Sequence, residues 1–230
     1  MSNIYTDGRY HSNNPTWHSD DSPWKAKQIV AMLKKHGLTP RTVAEVGCGA
    51  GQVLNNLAID LPSDVSLHGY DISPQAIEIC QSIQNPRLTF YNKDFFLENE
   101  NLFDAVLAID VFEHVEDCFT FLRSFRTKGK YKIFHIPLEI NAVSSLCGMP
   151  AVSRKKFGHL HFFNRETAIM ALEETGYKIV DWVYTAGAID LPQQSIGQAL
   201  AFLPRILLGT LNKDMAQRLL GGWSLLVLAE

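Results

Sequence analysis

Residues 43–51 read Val-Ala-Glu-Val-Gly-Cys-Gly-Ala-Gly, an apolar run that ends in alternating glycines. Val43, Ala44 and Val46 suit a buried strand. Gly47, Gly49 and Gly51 suit a backbone that turns sharply and lets a ligand come close, because glycine presents no Cβ. A helix beginning near Gln52 then brings unpaired N–H groups and a positive dipole end to the turn. Strand, glycine turn and helix in this order form the first unit of a parallel α/β sheet with a binding site at the turn. Glu45, at the end of the strand, narrows the ligand. An acid is repelled by a phosphate, whereas it favours a ligand that carries ammonium and sulfonium charges.

The pattern repeats along the chain. Ser22-Pro23 opens a helix to about His36, with Ala26, Ile29, Val30 and Leu33 as its buried stripe. Strands are predicted over 42–46, 65–70, 87–91, 104–109 and 130–136. Ser73-Pro74 starts one of the intervening helices, and Phe112, Val115, Phe119 and Leu122 keep helical spacing through Phe125. Five alternations predict a parallel sheet with helices on both faces and a ligand beyond the carboxyl ends of the strands. Glu45, Asp71, Asp94 and Asp110 all fall at such ends or just past them. Four acids in register are hard to explain as scattered surface charge. Beyond Pro137 the pattern breaks until a helix at Asn164, a strand over 178–184 and a last strand over 223–229.

The predicted organisation is an N-terminal arm over 1–21, then one domain over 22–230 with insertions at about 138–162 and 185–221. A chain of 230 residues, 46% hydrophobic and 20% charged, suffices for one such domain. Its net charge of −3 gives no basic bias toward nucleic acid. Cys48, Cys80, Cys118 and Cys147 lack metal-type pairing, and the polar N-terminus lacks a signal-peptide pattern, so a cytoplasmic protein with no membrane span is expected. The oligomeric state is left open between monomer and homodimer.

Glu45-x-Gly47-x-Gly49-x-Gly51, Asp71 about twenty residues on, Asp94 after the third strand, Phe103-Asp104-x-Val106, and Glu113-His114-Val115 together resemble the class I S-adenosylmethionine-dependent methyltransferases, in their small-molecule branch. The resemblance covers residues 40–136 strongly and the remainder by order of elements. It implies a Rossmann-like three-layer αβα sandwich, with a mostly parallel seven-stranded sheet and an antiparallel last strand. The implied cofactor is S-adenosyl-L-methionine, leaving S-adenosyl-L-homocysteine as product. Carried over by position, Gly47, Gly49 and Gly51 contact the methionine part, Asp71 the ribose hydroxyls and Asp94 the adenine amine. Ile72 and Phe95 lie beside the ring, and Asp110 borders the methionine end. Glu45 either orients the loop or reaches the cofactor's amino group through water. A competing reading makes Asp71 a helix-capping acid. A dinucleotide dehydrogenase would need a small residue at the sixth fingerprint position, which here is Gln52. A cofactor-binding but catalytically silent interaction module is the remaining rival.

The expected acceptor is a small molecule with an oxygen, nitrogen or carbon nucleophile. Candidate acceptor-side bases are His114 and His161 first, then His135 and His159. Strict alternation over 158–163 would point His159 and His161 the same way. Two histidines alone make no metal site, and none is expected. The arm gathers Tyr10, His11, Trp17 and His18, with Trp24 just after it, and these can fold over the cofactor. Ala199, Leu203, Ile206, Leu207 and Leu211 form an apolar stripe fit to roof an acceptor pocket, make a dimer contact or touch a membrane surface.

Overall fold

A computed structural model describes residues 5, 7–17, 19–98, 102–192 and 196–230; His18 lies outside them. The strands β1 (Thr42–Val46), β2 (Ser66–Asp71), β3 (Leu88–Asn92), β4 (Phe103–Ile109), β5 (Gly129–Pro137), β6 (Ile179–Thr185) and β7 (Ser224–Ala229) form one sheet of order β3-β2-β1-β4-β5-β7-β6. The first five pair in parallel, and β7 runs antiparallel between β5 and β6. Every strand bound lies within one residue of its sequence expectation.

Alternate residues of the central strands face two separate cores, so these strands read as nearly continuous apolar runs. Val43, Leu67, Leu107 and Ile133 pack under α2 (Ser22–Lys35) and α3 (Gln52–Asp60). Ala44, Val106, Phe134 and Leu225 pack under α6 (Cys118–Arg126) and α9 (Arg165–Glu174). Asn164 caps α9 by accepting the Thr167 N–H at 2.8 Å. Strand order reverses at β1, between β2 and β4, and the carboxyl ends there open a crevice.

Three expectations change. The helix predicted from Phe112 divides into a 3₁₀ turn, Phe112–His114, and α6, which restarts after Asp117 accepts the Thr120 N–H. The restart shifts the phase, burying Cys118, Phe121, Leu122 and Phe125 and leaving Phe119 exposed. The connection over 138–162 holds α7 (Ala142–Leu146) and α8 (Met149–Phe157), which follow the short helices α4 (Pro74–Cys80) and α5 (Phe95–Glu98) earlier in the chain. Each of α7 and α8 buries a single serine, Ser144 or Ser153, so neither carries an apolar stripe that periodicity could detect. The segment over 185–221 holds α10 (Gly187–Asp190), α11 (Ile196–Leu211) and α12 (Lys213–Leu220). Leu203, Leu207 and Leu211 are exposed on α11, and among the described residues none of this helix lines the crevice. Among the described residues no helix is long and apolar enough to cross a membrane.

Candidate functional site

The crevice is a cavity of about 320 Å³, the size of a small-molecule site. Its floor is the glycine loop between β1 and α3. Gly47, Gly49 and Gly51 all hold positive φ, of 70°, 51° and 72°. A Cβ at Gly51 would lie 2.5 Å from the Phe90 ring, and one at Gly47 would lie 2.8 Å from the Val111 side chain. The loop therefore needs glycine for both conformation and space.

The loop amides are used within the protein. Gly47 and Cys48 donate to the Tyr70 carbonyl at 2.8 and 3.1 Å, and Gly51 donates to the Cys48 carbonyl at 2.8 Å. Gly49 donates to Asp71 Oδ2 at 2.9 Å. A loop with these N–H groups spent is a poor pyrophosphate cradle, which removes the main support for dinucleotide binding.

Asp71 closes β2 and accepts the Ser73 N–H at 2.8 Å on its other oxygen. Burial raises its carboxyl pKa, and the Ser73 and Gly49 amides oppose the rise. It is thus both a loop tether and a cavity-lining acid. Glu45 is 2% exposed, with Oε2 lacking a hydrogen-bond partner among the described residues. Burial pushes its carboxyl well above the usual range. The missing partner fits the cofactor's ammonium, so the cradle and the orphaned acid both suit S-adenosylmethionine.

Ile72 and Asp94 line the cavity, and Asp94 also accepts the Phe96 N–H at 2.9 Å. Phe95 is 2% exposed and mostly core, meeting Tyr70 edge-on at 4.9 Å.

Asp110 lines the cavity, but its carboxylate is engaged by the protein. Lys25 Nζ lies 2.7 Å from Oδ2 and His135 Nδ1 lies 2.7 Å from Oδ1. Burial pushes the Asp110 carboxyl up, but the charges and hydrogen bonds of His135 and Lys25 prevail and hold it far below the usual range. Burial likewise lowers the Lys25 ammonium, and Asp110 and Asp21 more than reverse it. His135 Nε2 is 2.9 Å from the Thr185 hydroxyl, so this ring is a structural support rather than an open base. Sequence reasoning missed Lys25, although its position one turn before Ile29 placed it in line with the buried stripe of α2.

His114 and His159 line the cavity and His161 does not. Residues 158–161 are not a strand, so the alternation that would align His159 with His161 does not apply. His161 Nε2 instead faces the Val115 and Glu116 carbonyls at 2.9 and 3.2 Å. His159 is buried, its Nδ1 2.5 Å from Glu139 Oε2. Glu113, also in the wall, is fully buried, and burial followed by the nearby Asp110 charge raises its carboxyl well above the usual range. Sequence reasoning takes Glu113 only as part of the Glu113-His114-Val115 motif and misses it as a wall residue.

The arm adds Tyr5, Tyr10 and Trp17 to the wall, Tyr10 within α1 (Arg9–Asn13) and Tyr5 and Trp17 before and after it. Ring centroids are 5.0 Å apart for Tyr5 and Tyr10 and 5.1 Å for Tyr10 and Trp17. Trp24 instead borders a smaller cavity, where its indole N–H donates to Asp190 at 3.0 Å.

Comparison with known proteins agrees with this geometry. A family profile described as "Methyltransferase domain" matches residues 18–181. A tRNA U34 carboxymethyltransferase of Sulfurimonas denitrificans is 27% identical over 159 residues, 62% of this chain and 50% of the relative. A ubiquinone biosynthesis O-methyltransferase of Rickettsia bellii is 25% identical over 133 residues, 52% of this chain and 51% of the relative. The chain thus spans about half the length of the curated relatives it matches. Among solved structures, the magnesium protoporphyrin IX methyltransferase of Synechocystis PCC 6803, with bound S-adenosylhomocysteine, aligns with a TM-score of 0.60 at 16% identity. That alignment covers 90% of this chain and 81% of the other. The N-methyltransferase NodS of Bradyrhizobium japonicum WM9, in complex with S-adenosylhomocysteine, aligns with a TM-score of 0.60 at 19% identity, covering 96% and 94%. The family match, with the switch-point cavity and the glycine cradle beside it, leads to one conclusion: the chain belongs to the methyltransferase-domain family.

Proposed function

We propose that the enzyme transfers a methyl group from S-adenosylmethionine to a small organic acceptor by in-line displacement. The observation that carries this reading is the composition of the enclosed cavity. Tyr5, Tyr10 and Trp17 of the arm close over it, and His114, His159 and Phe157 form its side wall. This wall suits a compact, partly apolar acceptor with one polar nucleophilic atom. The formal charge of −3 offers little attraction to a polyanionic acceptor.

In this reading Glu45 pairs with the cofactor's ammonium, and Gly47, Gly49 and Gly51 pass its methionine chain. Asp71 binds the ribose hydroxyls, Asp94 receives the adenine amine, and Ile72 and Phe95 bound the ring. Asp110 shapes the methionine end while its charge is balanced by Lys25. His114 faces the acceptor, and His161 supports the 3₁₀ turn that carries His114. Tyr5, Tyr10 and Trp17 make the described part of the arm a lid. Because the cofactor already holds an activated methyl group, alignment of acceptor and sulfonium and exclusion of water supply most of the catalysis. Well-held reactants gain about 7–11 kcal/mol in this way.

The test is S-adenosylhomocysteine release from S-adenosylmethionine with a panel of phenols, hydroxy acids, amines and activated carbon acids. Turnover on at least one class supports the reading. Cofactor binding without small-molecule turnover, combined with turnover on tRNA, overturns the acceptor assignment.

A further inference from the structure

Glu113, His114 and His159 each bring one potential ligand atom to a common point, all within 4.8 Å of one another. The convergence is built by the backbone. Leu160 and His161 donate their N–H groups to the Glu113 carbonyl at 2.8 and 3.0 Å, which fastens the segment carrying His159 to the 3₁₀ turn carrying the other two. The His114 and His159 rings meet nearly perpendicular, with centroids 4.6 Å apart.

Both imidazoles are held from outside the cluster. His114 Nδ1 is 2.8 Å from the Tyr5 hydroxyl, and His159 Nδ1 is 2.5 Å from Glu139 Oε2. Each ring carries a second nitrogen, Nε2, and that of His114 lies on the Glu113 side, 4.0 Å from Oε1. A carboxylate on the outer nitrogen is the usual way a metal-binding histidine is oriented. Ser153 donates in turn to the other Glu139 oxygen at 2.5 Å, fixing that carboxylate.

The independent observation is Glu113 itself. It has no exposed surface, and neither carboxylate oxygen has a hydrogen-bond partner among the described residues. An ionised carboxylate so placed is costly without a counter-charge, and a protonated one leaves its O–H without an acceptor. Oε1 lies 4.0 Å from His114 Nε2, too far for a hydrogen bond and about 0.5 Å wider than two tetrahedral ligands with bonds of about 2.0–2.2 Å, a gap that a small side-chain rotation closes.

We propose that Glu113, His114 and His159 bind a divalent transition-metal ion in the acceptor half of the cavity. Two imidazoles and one carboxylate select Mn²⁺, Fe²⁺, Co²⁺ or Zn²⁺ over Ca²⁺ and Mg²⁺. Three protein ligands leave coordination positions open, as catalytic sites require. Resting on the methyl-transfer reading above, this deepens it by naming the acceptor class: a hydroxyl-bearing molecule whose oxygen binds the ion. The bound hydroxyl becomes more acidic and releases its proton to solvent. Its lone pair forms the new C–O bond, and the C–S bonding pair stays on sulfur, giving the neutral thioether. The expectation of no metal came from pairing His159 with His161; the fold separates those two and supplies Glu113 and His114 instead.

The test uses the untagged full chain, stripped with EDTA and titrated with CoCl₂ while visible absorption and heat are recorded. S-adenosylhomocysteine is titrated separately. One Co²⁺ per chain is expected. His159→Ala and Glu113→Gln should each weaken Co²⁺ binding at least 100-fold, and the outer-sphere change Glu139→Gln about 10–100-fold. Variants that bind S-adenosylhomocysteine within a few-fold of wild type are folded and count; should Glu113→Gln fail this check, His159→Ala and Glu139→Gln decide. No Co²⁺ binding by the wild type, or equal affinity in the folded variants, overturns the proposal. Cofactor-product binding without Co²⁺ binding defeats the metal site alone, whereas no cofactor-product binding defeats the methyl-transfer reading.

Discussion

Lys25 Nζ lies 2.7 Å from Asp110 Oδ2 at the edge of the cofactor cavity, joining the first helix of the domain to the end of β4. Lys25 is also 2.9 Å from Asp21, and Asp110 is also paired with His135. The pair lets an aspartate at a positive φ of 54° stand beside a ligand site without presenting a bare negative charge. It also fixes the junction of arm and domain, because Asp21 ends the 3₁₀ turn that leads into α2.

Removing the ammonium should therefore cost stability as well as affinity. Lys25→Met leaves Asp110 with the His135 ring as its side-chain partner among the described residues, and about 3 kcal/mol should be lost, the low end for breaking a buried pair. The low end applies because the Asp110 side chain is 26% exposed, into the cavity. Urea denaturation with an unchanged m-value measures it. The linkage sign is that of a depressed carboxyl. Stability from Asp110 is complete above its unfolded pKa of about 3.9 and is lost as pH falls through its lower folded value.

In the proposed reading Asp71 joins cofactor binding to loop geometry. Asp71→Ala removes the acceptor for both Gly49 and Ser73 amides, so a stability loss of about 1–3 kcal/mol should accompany a fall in affinity. Asp71→Asn keeps one acceptor oxygen and should be the milder change to the fold. Both variants should bind S-adenosylhomocysteine at least about 10-fold more weakly, the loss of one charge-assisted hydrogen bond. Calorimetry beside thermal unfolding separates the effects. Wild-type affinity in Asp71→Asn would reject the ribose assignment.

The parts of this site that were legible in the sequence are those that follow from local chain geometry. Gly47, Gly49 and Gly51 announce positive φ, and Asp71 and Asp94 follow strands whose alternation or apolar run is plain. The Lys25–Asp110–His135 chain was not legible, because its members lie on α2, after β4 and on β5 and meet through the sheet order alone. His159 was placed with His161 on strand-like alternation, which fails where the backbone is tied to the Glu113 carbonyl instead of to a neighbouring strand. The two short helices over 138–162 lacked an apolar stripe, and the stripe visible on α11 is largely exposed. A sequence pattern reports which residues share a face, not what that face meets.

Glu45 predicts a proton count. Burial holds its carboxyl well above the usual value, so it keeps its proton over a pH range where an exposed glutamate has lost it. Pairing with the cofactor's ammonium favours the ionised form and drives that proton off. Between the ordinary carboxylate range and the raised value, binding should release up to one proton and tighten as pH rises. Isothermal titration of S-adenosylhomocysteine in buffers of different ionisation heat measures the release. Glu45→Gln should abolish it and flatten the pH dependence.

The arm supplies the last test, because its Trp17 stands against the same loop that the glycines build. The Trp17 side chain would lie 3.5 Å from a Cβ at Gly49, and Tyr10 links it to Tyr5. Burial pushes the Tyr5 and Tyr10 hydroxyls above their ordinary range, so both stay neutral and hydrogen-bonding at working pH. Deleting residues 1–17 keeps Asp21 and its Lys25 contact but opens the cavity to water on that side. Affinity for S-adenosylmethionine should fall about 3–30-fold, the range of an aromatic contact with a partly desolvated cation worth about 0.5–2 kcal/mol. Neutral S-adenosylhomocysteine should lose less, since it lacks the sulfonium charge. Titration of both ligands into both proteins checks this: equal losses would make the arm a simple cover, and unchanged affinities would remove it from the binding site altogether.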